Sequence, residues 1–463
     1  MDKSTLSNYG WIVIAVLILS VMIALATPFG NYVKTATLNV TNGLIDTSDI
    51  ATNNTFESLG VYQSTEQLQK KYKFSYYSTL SGAINDVTND TVGENADSNQ
   101  VDATAGIYKN NNDTIVVLLK NTTEAKRMKI YNDMTINLGG NTLTLNDDMA
   151  FDIFSGNLKI DGRIRGSRID INRVDYEYAY GIQFRSGALT IDGGTYTITA
   201  DSTAKGTVFI NNVTTDAKTL NVQNATMNAT APSGIVCAII GAPKIEFETN
   251  VSNSTISASS DTGNATAISM KAKNILNINN SNVMSISNAN TCYGIQSVYR
   301  LNAKNCNVKG LGTSIIAYGE INIDGGLYEG NVYGAMYIMG SDTTGNIKNA
   351  KIKWCELPEN CTNTTSSFIS GITIGKDPNV SLYIDNCEIY APKQPIILVG
   401  NNNAANYKLY ISNSKINMDY TRKGIIIDSD THIVYIGKGN NFTAQDTNRE
   451  SSIVLTDEVY CQQ

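Results

Sequence analysis

The feature that most constrains this chain is a short motif that keeps returning. Residues 189–198 (LTIDGGTYTI) alternate apolar and polar side chains into an Asp-Gly-Gly turn and out into a second alternating run, which reads as strand, tight corner, strand. Close copies stand at 158–165, 220–227, 276–283, 301–308, 321–328, 382–389 and 409–416, with weaker ones at 136–143, 245–256 and 347–352. Their spacing runs from about 20 to about 37 residues, the range in which internal repeats signal stacked coils.

A second signature precedes most copies: Gly181-Ile182-Gln183-Phe184, Gly234-Ile235-Val236, Gly294-Ile295-Gln296, Gly371-Ile372-Thr373-Ile374 and Gly424-Ile425-Ile426-Ile427 are examples. A rung then holds three short strands in fixed order, counting the run after the turn. That order predicts a right-handed parallel β-helix, an all-β winding that closes without helices between strands. About 11 to 12 rungs at the usual strand spacing give a rod of about 55 Å. The corner needs residues that tolerate the left-handed region, which accounts for Asn, Asp and Gly there. Asn280, Asn305, Asn349, Asn386 and Asn413 are expected to stack, with their amides bonded from rung to rung.

The chain has 463 residues and divides by pattern into an N-terminal hydrophobic helix (1–44), a linker (45–63), a helical cap and loop (64–113) and the β-helix (114–463). A formal charge of −7 argues against nucleic acid as a partner. Seven cysteines, an odd number, do not make a disulfide scaffold, although Cys355 and Cys361 flank a loop that they could bridge. Cys306 and Cys387 fall at one repeat position about three rungs apart, too far to pair. With one histidine and no CxxC the pattern offers no metal ligand set, and no cofactor is expected. Asn39, Asn121, Asn224 and Asn264 begin Asn-x-Ser/Thr sequons, which become glycosylation sites only in a host with that machinery.

Residues 11–26 form an unbroken apolar run that includes Trp11, Ile14, Val16, Leu19 and Ile23. Three readings of it stay open: an uncleaved membrane anchor, a secretory signal ending in Ala24-Leu25-Ala26, or a helix that polymerises. The third rests on a resemblance to the N-terminal helix of type IV pilin-like proteins, which implies self-assembly into a surface filament. The acidic residue such pilins carry near the start of the run is missing here. Every reading puts the remainder outside the cytoplasm. Further on, Ser64 and Gln67 have capping-box spacing. Ser78 is the expected cap of a second helix whose Leu80, Ala83, Ile84 and Val87 share one face, suited to covering the open end of the rod. Residues 89–113 read as polar loop.

The segment 114–145, with Ile115-Val116-Val117-Leu118-Leu119 and Asn137-Leu138-Gly139-Gly140-Asn141-Thr142-Leu143, resembles the entry module of pectate-lyase-like β-helix proteins on bacterial surfaces. With the later rungs the resemblance covers roughly residues 75–450. It implies the fold, and leaves function open among lyases, hydrolases, adhesins and phage fibres.

For chemistry, the carboxylates that align are Asp161, Asp192, Asp324 and Asp385, all in the corner, where corner formation explains them; no catalytic set can be assigned by spacing. The most charged stretch, 161–180, gathers Arg163, Arg165, Arg168, Arg173, Asp175, Tyr176 and Tyr178, a set suited to gripping an acidic or neutral glycan by bidentate arginine contacts and tyrosine stacking. His432 reads as a solvated turn residue. The function expected is therefore a non-enzymatic extracellular protein, on the cell surface or in a filament, that displays a β-helix rod for adhesion to a surface glycan or host matrix. The rival is a polysaccharide lyase or glycoside hydrolase of the same fold.

The apolar run generates the first prediction. Burying it in lipid or against copies of itself is favoured by roughly 25 cal/mol per Å² of apolar area. The full chain is therefore expected in membranes or polymers, and a chain starting at Asn53 is expected as a soluble monomer. Val16→Asp should abolish membrane retention or filaments, because a mid-run charge has no partner in either setting. Native protein that begins at Thr27 and is recovered free in the medium would instead establish a cleaved signal.

Overall fold

A computed structural model describes residues 64–444 and 459–461, apart from 147–148, 242–245, 272, 289–291, 298, 357–368, 376–378, 400–406, 419–424 and 428–432. The apolar run, the linker, Cys361 and His432 lie outside the described residues.

Alternation in each repeat copy turns one row of side chains inward, and a single rung cannot bury that row alone. The rungs therefore stack, and the described strands form a right-handed parallel β-helix with three ladders. One ladder stacks Ile136, Ile160, Ile191, Val222, Val251 and Ile278, and continues through Ala303, Ile323, Ile347, Ile384, Ile411 and Ile436. The second follows the corner and stacks Leu143, Ile169, Tyr196, Met227, Ile256, Val283, Val308 and Tyr328, then Ile352, Ile389 and Ile416. The third aligns Met128, Phe151, Ile182, Ile210, Ile239, Ile268, Ile295, Ile315, Met336, Ile372, Ile396 and Ile425, twelve rungs in unbroken register. These rows, the third as far as Ile396, line one continuous core.

Between the first and second ladders the chain turns on a left-handed residue. Asn224, Asn253, Asn280, Asn305, Asn349, Asn386 and Asn413 all have φ between 47° and 56°. Gly193 and Gly325 serve the same turn at 76° and 78°. The expected rung-to-rung amide bonds form in part: Asn305 donates to Asn280 at 3.4 Å and Asn386 to Asn349 at 2.8 Å. Elsewhere the column is interrupted, because Asn349 donates to Asp324 (2.7 Å) and Asn413 to Asp385 (2.8 Å).

The next residue in each corner is small and faces inward. Ser254, Ser281 and Ser414 donate their hydroxyls to the carbonyl two residues back at 2.7–2.8 Å. The Cys306 and Cys387 thiols make the same contact at 3.2 Å. The two cysteines thus do a serine's work in the corner, and both are free, as are Cys237, Cys292 and Cys355.

The start of the rod is capped. Helix α1 (Thr65–Lys71) opens with the expected capping box of Ser64 and Gln67. In helix α2 (Leu80–Thr88) the cap is Thr79, not Ser78, since Thr79 accepts from the Gly82 N–H at 3.0 Å. Ser78 is held instead by Asp97, through both its N–H and its hydroxyl at 2.7 Å. Leu80, Ala83, Ile84 and Val87 are all buried in the core of the first rungs. Rung residues clamp both ends of α2. The Glu124 carboxylate accepts from the Leu80 and Ser81 N–H groups at 2.7 and 3.2 Å, a favourable place for negative charge. Asn132 donates to the Val87 and Thr88 carbonyls at 2.9 and 3.0 Å.

Residues 89–113 are not all loop. Strand β2 (Ala105–Asn110) pairs antiparallel with both β1 (Ser75–Tyr77) and β3 (Asp113–Leu118), and β3 begins the parallel ladder. The run of asparagines at 110–112 is a hairpin turn, with Asn111 at φ 55°.

The corner generates the second prediction. At Asn386 (φ 50°) an alanine adopts the left-handed region at a cost of about 1–2 kcal/mol, whereas glycine adopts it freely. Asn386→Ala is expected to lower the unfolding midpoint clearly more than Asn386→Gly, as measured by thermal melts. Equal midpoints would refute the stated role of the corner.

Candidate binding face

The charged stretch expected to form one site is divided by the fold. Six residues of it, Arg168–Arg173, form a strand of the second ladder, so about 17 Å of extended chain separates its two ends. At the near corner Arg163 is held by Asp161, its Nε and Nη2 donating at 2.8 and 2.7 Å, and lies 3.5 Å from Asp192. Arg165 beside it is exposed. Arg168 is exposed and paired with Asp170 at 2.6 Å.

Arg173 does not face solvent. The alternation Ile169, Ile171, Arg173 points it inward, and it is 2% exposed. There its Nη2 donates to the Tyr180 carbonyl at 3.2 Å and its guanidinium lies 5.8 Å from the centre of the Tyr176 ring. At the far corner Asp175 adopts φ 65° with its N–H bonded to Asp201, and Tyr178 stacks against Tyr180 at 6.3 Å. The solvent-exposed part of the set is therefore Arg165 and Arg168 at one side and Asp175 and Tyr178 at the other, with Tyr176 half-buried.

The corner carboxylates are each engaged in turn-building contacts. Asp192 accepts from Asn224, Asp324 from Asn349, and Asp385 from Ser412 and Asn413. Those hydrogen bonds, Ser412's first, hold the Asp385 carboxyl below the usual carboxylate range.

A different set of polar residues forms the most regular surface. The middle residue of the first-ladder motif points outward, and in six successive rungs it is Asn221, Asn250, Asn277, Asn302, Asn322 and Asn346. Each amide from Asn250 onward donates to the one before it, at 3.0, 2.8, 2.7, 3.0 and 3.2 Å. The column continues in register as Tyr383, Tyr410, Tyr435 and Tyr460. The first three rings stack with centroids 4.5 Å apart and planes within 6°. Burial, then the neighbouring rings, raises the Tyr410 hydroxyl pKa. A shallow groove of about 750 Å³ runs beside the asparagines, bordered by Asn279, Lys304, Asp324 and Lys348.

Comparison with known protein families, curated proteins and solved structures gives no match. The outward face thus has to be read from its own geometry. Its signal was present in the copies, which read Leu-Asn-Val, Leu-Asn-Ile, Leu-Asn-Ala and Ile-Asn-Ile before turning to Leu-Tyr-Ile. Sequence reasoning passed over it because it weighed the corner asparagine and not the one between the inward residues. The ion pair between buried Asp152 and half-buried Arg185 (2.7 Å) had no such signal, since its members stand 33 residues apart.

The third prediction separates structural from surface arginines. Arg173→Ala removes a buried side chain and should cost about 2 kcal/mol or more. Arg165→Ala, at an exposed position, should change stability by less than about 0.5 kcal/mol. Denaturation of both variants checks this, and equal effects would place Arg173 wrongly.

Proposed function

We propose that this chain is a non-enzymatic extracellular surface protein, held at the envelope or in a filament by its N-terminal apolar run, whose β-helix rod serves adhesion through glycan binding. The observation that carries the reading is the outward column of six hydrogen-bonded asparagines running into stacked tyrosines. Uncharged amide donors and acceptors, repeated on a rigid face with aromatic side chains beside them, are what hydroxyl-rich, weakly charged partners require. The exposed Arg165 and Arg168 offer a second, cationic contact region. The engagement of the corner aspartates in turn-building hydrogen bonds favours this reading over a lyase or hydrolase, whose carboxylates must be open to substrate.

The test is a panel of immobilised neutral and acidic polysaccharides probed with the full chain, run beside an ultraviolet assay for unsaturated sugar released in calcium buffer. Retention without product is expected. Robust product release would make the chain a lyase, and no retention on any polysaccharide would end the adhesion reading.

A further inference from the structure

Resting on the glycan-binding reading, we infer that the asparagine groove takes a neutral, extended, β-linked hexopyranose chain lying parallel to the rod axis. Three observations lead there.

The first is spacing. Successive amides are one rung apart, about 4.8 Å. An extended polypeptide advances by about 3.4 Å per residue, and one strand of duplex nucleic acid by about 3.4 Å per nucleotide. Neither stays in phase with the rungs. A pyranose chain in extended β-linkage advances by roughly one ring length per residue, slightly more than the rung spacing and nearer to it than either.

The second is the pattern of free donors. Asn277 uses both amide hydrogens, on Asn250 and on Glu248 at 2.8 Å. Asn322 does the same, on Asn302 and on Glu320 at 2.9 Å. Asn250, Asn302 and Asn346 each donate once within the column, leaving one hydrogen for a ligand. Within the groove, from Asn250 to Asn346, the available donors therefore recur every second rung, about 9.6 Å, while Asn221, one rung earlier, donates once to Thr190 and falls outside that alternation. That period is close to, and slightly shorter than, the two-residue repeat of an extended chain whose successive rings are flipped, so that equivalent hydroxyls face the protein at every second residue.

The third is charge. Arg300, Lys304 and Lys348 flank the column together with Glu248, Glu320 and Asp324, and two pairs among them are in contact, Arg300–Glu320 at 2.7 Å and Lys348–Asp324 at 3.7 Å. Three cations against three carboxylates leave no field to favour a uronic acid chain. Four rung intervals from Asn250 to Asn346 span about 19 Å, a length of four to five rings before the column changes to tyrosine at Tyr383.

The experiment titrates the full-length chain calorimetrically with cellohexaose, chitohexaose and mannohexaose as extended β-linked hexamers. Maltohexaose supplies the same glucose in a coiled linkage, and a galacturonate hexamer supplies charge. At least one β-linked hexamer is expected to bind, with little salt dependence, and maltohexaose is expected to bind far more weakly. Asn302→Thr should weaken binding about threefold to tenfold, the worth of one hydrogen bond; because it also breaks the column bonds to Asn277 and Asn322, its melting curve is recorded beside the binding. Asn346→Thr, at an exposed position, serves if the first variant melts early. Binding unaffected by either variant overturns the groove while leaving glycan binding by the protein intact. Equal binding of maltohexaose, or binding of the galacturonate alone, overturns the extended neutral ligand and also leaves the broader reading standing. Failure of all three β-linked hexamers overturns the inference, whatever the wider polysaccharide panel shows.

Discussion

Each rung of this protein leaves its apolar edge open until the next rung is laid on it, and every other feature follows from that dependence. Ile191 touches Ile160 below and Val222 above in the same register, and the relation repeats along the first ladder. Because stabilisation comes only from neighbours, register must not slip, and a one-residue shift would turn the inward row to solvent. The corner asparagines fix that register. A left-handed residue at one place in each rung sets where the strand ends, and the small Ser or Cys that follows ties the turn to its own backbone.

The same logic explains the cap. The first rung has no neighbour below, so its core rows would meet water and its strand edge would be free to pair. Helix α2 supplies apolar side chains to the core, and the antiparallel strands β1 and β2 take up the edge of β3. Glu124 and Asn132, which belong to the early rungs, bind the two ends of the helix and so orient it.

Stacking also turns a local choice into an extended surface. One outward asparagine in a strand is unremarkable in chemical terms, but six in register form a hydrogen-bonded column with a constant repeat. The flanking Glu248 and Glu320 then divide its amides into those whose donors are used and those with a donor to offer. Rigidity of the ladder means that such a pattern is held in place before any ligand arrives, which lowers the cost of ordering on binding.

The sequence by itself determined the winding, the core rows, the capping box of α1 and the left-handed corners, because each is set by residues within a few positions of one another. It also carried the outward asparagines, plain in the copies once strand direction is known. It mistook the cap of α2 by one residue and read β2 as loop, since the Asp97 contact to Ser78 and the pairing of β2 on both sides come from elsewhere in the chain. Tertiary structure alone decided that the arginine-rich stretch is two corners and a strand, with Arg173 inside. It also decided which amides keep a free hydrogen, because both depend on what the neighbouring rung, some 20 to 37 residues away, brings alongside.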